Sequence, residues 1–469
     1  MYYIRGDKTK RKKSMSKTYR AYEPEQMYLM PPSLAEWLPS DHMVYFIRDI
    51  VDTIDIKPIT RVYEEEERGY PPYHPKVMIG ILMYGYCSGI MSSRKLSKHC
   101  QEDIAFRVLA ANNQPDFRTI SDFRKRHLSA LQHLFVEILQ LCKEAGLIKF
   151  GHIALDGTKI RANASKHKAM SYGRMKKDID RLQQEIAQLL KDAEKTDDRE
   201  DRHYGRDKRG DELPEELARR ETRLARIEEA KRALEEEASK QKPIGKKGNS
   251  DKQMPMAKVK TEKNEITGKM EPSDDAQKNF TDAESRIMPS QKTFVQGYNA
   301  QVAVDSAHQI IVSTDVSNNP TDDPLLPALV AQLPQKPDVL SADAGYSVTE
   351  NNIKYLESKG IEAYIAIKRE KHHKAKAQRG PIPKDLSIKK RMARKLQTKA
   401  GKKHYSRRKC IVEPVFGQIK HAQGFRQFSL RGHFKVRSEW FLVAASHNIR
   451  KLFKACLERP KRRSLIFAT

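Results

Sequence analysis

Three hydrophobic patterns follow one another along the chain. Over residues 41–148 apolar positions recur every three or four residues, the spacing of half-buried helices. "HPKVMIGILMYGYCSG" predicts a helix stopped by Gly89, and "SSRKLSKHCQEDIAFRVLA" one that opens on Ser92 and Ser93. "RTISDFRKRHLSALQHLFVEILQLCKEAGLI" predicts another, with Thr119 and Asp122 as a variant capping box and Gly146 as its stop. Residues 1–40, which run into "PPSLAEWLP", read as a basic flexible arm ahead of this helical domain.

From 166 to 290 the pattern turns charge-rich. Ile179, Leu182, Ile186 and Leu189 make one apolar stripe, and Leu217, Leu224, Ile227 and Leu234 a second. The polar break "DDREDRHYGRDKRGD" separates them, so the segment predicts a helical hairpin with a flexible tip. "KPIGKKGNSDKQMPMAKVKTEKNEITGKMEPSDD" then reads as an extended, strand-poor linker.

The last third alternates short apolar runs with helical spacing. "GHIALDGTKIRANAS" holds a strand that delivers Asp156. "FVQGYNAQVAVD" and "QIIVSTDVSN" predict two strands around the turn Asp305-Ser306-Ala307-His308. "DDPLLPALVAQL" predicts a helix opening on two acids, and "DVLSADAGY" a strand ending at Asp343. "VTENNIKYLESKG" predicts a helix with Ser347 or Thr349 as cap and Gly360 as stop, followed by a strand in "IEAYIAIK". A basic loop follows, then a helix in "IVEPVFGQIKHAQGF" and a C-terminal helix in "EWFLVAASHNIRKLFKACL". Setting the insertion aside, three strands and two crossover units match a ribonuclease-H-like layout, a mixed α/β sheet with helices on both faces. This domain takes residues 149–165 and 291–450, and 451–469 is left as a basic C-terminal tail.

Charge narrows the partners. The chain of 469 residues carries a formal net charge of +28 and a sequence pI of about 9.7, which calls for a polyanion. No apolar run approaches the roughly 18 residues of a membrane span, and "MYYIRGDKTKRKKSMSK" lacks the apolar core of a secretory signal. The expectation is a cytoplasmic protein, nucleoid-associated when bound to DNA. The five cysteines are scattered and form no CxxC pair, so they read as small buried residues rather than a disulfide framework or a zinc site. Arg118, Arg124, Lys125 and Arg126, with His127, put a basic face on a short helix that suits a helix-turn-helix-like reader of a DNA groove.

Asp156 and Asp343 both stand at strand exits, where ligands bind in such sheets. Two converging carboxylates repel, and a divalent cation such as Mg²⁺ removes the penalty while keeping positions for phosphate oxygens. Glu413 is the candidate third acid, read as opening a helix with Pro414 in its first turn and Lys420 on the same face. Tyr405, Arg407 and Arg408 upstream, and Lys159 and Arg161 beyond Asp156, suit backbone phosphates. Gly157 and Gly345 serve either a close DNA approach or an ordinary turn. Asp282 and Glu284 read as surface or cap residues, and Glu439 is the fallback third acid.

At these residues the chain resembles the DDE transposases of bacterial insertion sequences. "ALDGTKIRANAS" resembles the first-Asp block, "SADAGYS" the second, and "YSRRKCIVEPVFGQIK" with "FRQFSLRG" the third, which carries the family's Tyr, Arg, Glu and Lys. "YHPKVMIGILMYGY" and "SSRKL" resemble the helical region that precedes catalysis in a group with a long helical insertion. The usual Arg position, four before the Glu, is Lys409 here and Arg408 stands five before, so either fills that role. The resemblance implies that Asp156, Asp343 and Glu413 hold two Mg²⁺ ions, with Mn²⁺ as a substitute. It implies hydrolysis of a phosphodiester at the element's end and attack of the freed 3′-hydroxyl on target DNA. Lys159, Arg161, Tyr405, Arg408, Lys409, Lys420, Arg118, Arg124, Lys125 and Arg126 would contact DNA, and a homodimer would pair the two element ends. A nuclease that cuts without joining, and an idle DNA-binding regulator, are the alternatives.

Overall fold

The computed structural model describes residues 33–64, 72–204, 215–240, 254–263, 270–290, 293–367, 377, 379–383 and 385–467, without the side chains of 35, 192–204 and 215–217. Most of the basic arm, residues 205–211 of the hairpin tip, the side chain of Leu217 and much of the stretch "KREKHHKAKAQRG" lie outside what is described.

The helical region comprises α1 (Met43–Thr53), α2 (Lys57–Glu64), α3 (Pro75–Cys87), α4 (Ser93–Glu102), α5 (Ile104–Leu109), α6 (Phe117–Arg126) and α7 (Leu128–Glu144). Gly89 and Gly146, at φ +78° and +68°, lie just past α3 and α7 as expected. The other end signals act differently. Asp103 accepts from the Ala105 N–H at 2.8 Å and starts α5, so one expected helix becomes two. Ser92 holds the N-cap position of α4 without a side-chain cap bond. Asp116, not Thr119, caps α6, accepting from the Arg118 N–H at 2.8 Å, which leaves Thr119 and Asp122 inside the helix. The third expected helix then divides at His127, whose buried ring meets the Tyr63 hydroxyl at 3.0 Å.

β1 (His152–Arg161) follows, then β2 (Ala169–Ser171) and the helices α8 (Tyr172–Tyr204) and α9 (Glu215–Lys240). The helices run antiparallel: Tyr172 bonds Glu235, and Arg220 lies near Glu185. Ile179, Leu182, Ile227 and Leu234 form their buried seam, with Leu224 packed against it. The expected linker instead carries β3 (Thr261–Lys263) and β4 (Met270–Pro272), and β5 (Gln277–Asn279) and β6 (Arg286–Ser290) follow it. β3 pairs with β4 and β5 with β2, while β6 joins the main sheet beside β7 (Thr293–Asp305). Three-residue pairings carry too few alternating positions to be read from sequence.

β8 (Ile311–Ser317), α10 (Leu326–Ala331), β9 (Val339–Ala342), α11 (Asn351–Ser358) and β10 (Glu362–Ile365) complete the α/β alternation. The sheet order is β10-β9-β1-β7, with β8 on β7 and β6 extending β7. β9 and β10 run parallel to β1, whereas β7 and β8 are antiparallel neighbours. Neither Ser347 nor Thr349 caps α11. Ser347 Oγ donates to the Ala366 carbonyl at 2.6 Å, and Thr349 Oγ1 to Asp323 at 2.8 Å.

The expected basic loop is largely helical: α12 (Ile388–Leu396) and α13 (Lys399–Gly417), the latter passing into a π turn at Gln418–Ala422. α13 packs on β1, β7, β9 and β10, so the sheet orders this lysine-rich segment. α14 (His433–Glu458) is buried along most of its length, between α3 and α7 and strand β8. Trp440 Nε1 donates to Thr314 at 2.6 Å, and Asn448 bonds both backbone groups of Ile311. One hydrophobic core therefore runs from Phe46 to Ile466 through both the helical and the α/β parts. The expected C-terminal tail belongs to it: α15 (Lys461–Phe467) buries Ile466, and Arg463 pairs with Asp49 of α1. Cys410 is exposed, unlike the other four cysteines. No helix among the described residues is long and apolar enough to cross a membrane.

Candidate active site

Strand register sets the first two acids. β1 and β9 run parallel with Ala154 opposite Ser341, so two residues on, Asp156 and Asp343 stand side by side, Asp343 just past the end of β9 but Asp156 in the middle of β1 rather than at the expected strand exit. Neighbouring strands lie about 4.8 Å apart, close enough for the carboxylates to repel. Burial pushes the Asp156 carboxyl up to about 6, with Arg408 opposing the rise and Asp343 adding to it. Burial also raises Asp343, Asp322 adds to the rise, and Arg408 opposes it. One backbone donor steadies each acid: the Gly157 N–H on Asp156 and the Gly345 N–H on Asp343, both at 2.9 Å.

The third element is α13. It opens on Thr398, whose hydroxyl accepts from the Gly401 N–H at 3.0 Å, so Glu413 and Pro414 lie well inside it rather than at its start. Proline has no N–H for the Cys410 carbonyl, and Gln309 Nε2 fills that vacancy at 2.9 Å. Arg408 points inward with a side chain only 9% exposed, its Nη1 at 3.0 Å from Asp156 and its Nη2 at 3.9 Å from Glu413. Lys409 next to it is exposed, so Arg408 is the cation that enters the site. Tyr405 lies one turn earlier, its ring 5.9 Å from the Arg408 guanidinium, and burial raises its hydroxyl.

The π turn resets the helix phase beyond Gly417. Lys420 therefore does not simply repeat the face of Glu413. It bonds the hydroxyl of Thr158, two residues after Asp156 and on the same face of β1. Burial lowers the Lys420 ammonium, against the pull of Asp156. Glu413 stays at the rim, its side chain 54% exposed.

The oxygen donors suit a hard divalent cation. Asp156 and Asp343 are buried carboxyls pushed upward beside one another, the penalty that such an ion relieves. Arg408 takes that place on Asp156, and among the described residues no three acidic, histidine or cysteine side chains converge at metal-ligand spacing.

Two family models match the chain. The Transposase DDE domain covers residues 258–449, and the Transposase domain (DUF772) covers residues 32–126. Together they span well over half of the sequence. The chain belongs to the DDE transposases. The first match contains Asp343 and Glu413, while Asp156 lies ahead of the insertion and outside it. No curated protein and no solved structure matches.

The transposase has a fourth acid at this site that sequence reasoning took for a helix opening. Asp322 Oδ1 accepts from Asn299 at 2.7 Å, Gln301 at 2.9 Å and Lys159 at 3.1 Å. Asn299 and Gln301 are fully buried, two apart on β7, and Tyr346 donates to Gln301. That polar pair at strand period in "NAQVAVD" is the signal available in the sequence. Lys159 is consequently held by Asp322, on the opposite face of β1 from Asp156, whereas Arg161 is exposed at the strand's end. The two glycines serve this packing rather than an open DNA approach. A Cβ on Gly157 would lie 2.1 Å from Gln301 Nε2, and one on Gly345 would lie 3.0 Å from both Asp322 and Asp343.

Other acids have structural work. Glu439 is buried and accepts from the N–H groups of Ser429 and Leu430 and from the Ser429 hydroxyl. Asp282 is also buried, accepting from Tyr298 at 2.8 Å and the Gly432 N–H at 3.2 Å, and Glu284 accepts from the His433 N–H at 2.7 Å. These last two secure the start of α14. In the transposase's helical region Arg124 is buried, donating to the Met91 carbonyl at 3.0 Å and the Tyr86 hydroxyl at 3.3 Å, which removes it from the basic face. Arg126 lies over the Tyr63 ring, Arg118 over Phe117, and Lys125 near Asp122.

Proposed function

We propose that Asp156, Asp343 and Glu413 are the catalytic acids of this transposase, and that it cuts DNA at the ends of its element and joins them to a target. The placement of Asp156 beside Asp343, both pushed upward by burial and closed over by α13, carries the reading. The strand order, with three antiparallel strands followed by two parallel ones, supports a ribonuclease-H-like catalytic domain. We assign the helices of 41–148 to recognition of the terminal repeats through Arg118, Lys125 and Arg126.

The acids would hold two divalent ions, Mg²⁺ or Mn²⁺, which when bound supply Lewis-acid stabilisation of the attacking and leaving oxygens. The chain's own residues do the rest. Arg408 neutralises Asp156 and spans toward Glu413, keeping the buried acids compatible with folding. Lys420, anchored on Thr158, presents a cation beside Asp156 to a DNA phosphate, and Tyr405, Lys409 and Arg161 extend that contact. Asp322 orients Lys159 and braces the Gly345 turn behind Asp343. Water attacks phosphorus at the element's end and the 3′-oxygen leaves, taking up a proton to become a 3′-hydroxyl; that hydroxyl, giving up its proton, then attacks phosphorus of a target phosphodiester and displaces the target strand's own 3′-oxygen. Two ends reacting together call for a homodimer on DNA.

The test is cleavage of a duplex carrying the element's own ends, with Mg²⁺ and with EDTA, for the wild type and Asp156→Asn. A second substrate carries a pre-cut 3′-hydroxyl. Metal-dependent cutting lost in the variant, with joined product from the pre-cut end, is expected. Cutting that survives the substitution overturns the assignment, and cutting without joining reduces the enzyme to a nuclease.

A further inference from the structure

A groove of about 1330 Å³ opens between the start of α8, one face of α9 and the ribbon β2–β5. Its lining is cationic. Arg223 and Arg226 stand three apart on α9, and Arg219 one turn before them, so the three form a stripe along one helix face with about 5–6 Å between neighbours. Arg174 faces them from α8, Lys168 from the approach to β2, and Arg431 from the segment before α14. Among the described residues the only acid lining it is Glu229. Asp178 lies 3.9 Å from Arg174 and 3.8 Å from Arg223, and Lys278 pairs with Glu237 at 2.5 Å, so the lining cations outnumber the acids beside them. Cations gathered in a concave surface repel one another, and a polyanion relieves that cost.

The groove is tied to the sheet that carries Asp156. Beyond Asp156, β1 continues to Arg161, five residues or about 17 Å of strand. The next residues bind the groove's far wall: Arg431 Nε donates to the Asn163 carbonyl at 2.9 Å, and Asn163 Nδ2 to the Ser429 carbonyl at 2.8 Å. Glu439 and Asp282 fix the 429–432 segment in turn.

We propose that this groove is a second DNA site, which holds the sugar-phosphate backbone of the same duplex about five base pairs or more from the bond being cut. The proposal rests on the DNA reaction assigned above. It gives the insertion a role: a backbone clamp that reads no bases and sets how the duplex enters the active site.

The experiment measures binding of full-length protein to an element-end duplex from 50 to 200 mM KCl, for the wild type and for the triple variant Lys168→Ala, Arg223→Ala, Arg226→Ala. Each lost phosphate contact flattens the log–log salt slope by about 0.9, so a fall of roughly 2–3 is expected. Duplexes trimmed to three base pairs beyond the cut, on one side or the other, locate the contact. Trimming on one side flattens the slope of the wild type and leaves that of the variant unchanged. An unchanged slope in the triple variant overturns the proposal and leaves the groove to an acidic protein instead. Arg223→Lys with Arg226→Lys retains the slope if charge is what matters, which separates lost binding from misfolding. Wild-type cleavage with Mg²⁺ is scored in parallel. Its absence alongside a flattened slope sinks the catalytic reading and keeps the clamp, whereas normal cleavage with an unchanged slope does the reverse.

Discussion

Asp156→Asn should change stability as well as cleavage. The wild-type carboxyl is raised by burial from 3.8 to about 6, and its side chain is only 19% exposed. At about 1.4 kcal/mol per pH unit, the folded chain disfavours the ionised form by roughly 3 kcal/mol. The folded value lies above the unfolded one. The group's contribution to stability is therefore full below about pH 4 and is lost as pH rises through about 6. Asparagine, neutral and of the same shape, avoids that penalty, and its amide oxygen can still accept from Arg408 Nη1 in place of Asp156 Oδ2. In EDTA the variant is expected to be the more stable protein at pH 7.5, by up to about 3 kcal/mol, with the gap falling to about half at pH 5. For the single core that runs from Phe46 to Ile466, a cooperative unit of about 400 residues, that is a Tm gain of up to roughly 4 °C at pH 7.5. Thermal unfolding at both pH values measures it. Adding Mg²⁺ should stabilise the wild type, by about 2.7 kcal/mol at a hundred times its Kd, and the variant much less. A variant less stable than wild type at pH 7.5, or a gap that ignores pH, refutes the buried-carboxylate reasoning.

Glu413→Gln should cut cleavage by at least about 100-fold, the scale of one lost transition-state contact, while unfolding shifts by less than about 0.5 kcal/mol because the side chain is half exposed. Glu439→Gln should do the opposite, lowering Tm with cleavage per folded molecule retained; if it alone abolishes cutting, the third acid is misassigned. Arg124→Ala should destabilise by about 3 kcal/mol and leave the salt dependence of DNA binding unchanged, since the side chain is buried on Tyr86 and Met91. Gly157→Ala should cost about 1–3 kcal/mol and lower kcat, because Gln301 is held by Tyr346 and Asp322 and has little room to yield; wild-type unfolding and kinetics in that variant would contradict the packing.

The sequence by itself determined many of the longer elements and marked the candidate acids on them. Helical spacing placed α3, α4 and α7, and strand runs placed β7, β8, β9 and β10, because local apolar period dictates which face is buried. It also marked Asp343 as an acid at a strand exit, whereas Asp156, expected at another, lies in the middle of the ten-residue β1. Tertiary structure alone decided the remainder. The parallel register of β1 and β9 brings those acids level, and pairing across nearly two hundred residues leaves no trace in local pattern. Contact with the sheet turns the lysine-rich segment into α12 and α13, overriding the charge repulsion that reads as a loop. Gln309 supplies the hydrogen bond that lets Pro414 sit inside a helix, so a residue that signals a helix start marks its interior. The same distinction separates Arg408 from Lys409 and buries Arg124. A cation's charge is written in the sequence, but only its neighbours in space decide whether it meets DNA or the protein's own oxygens.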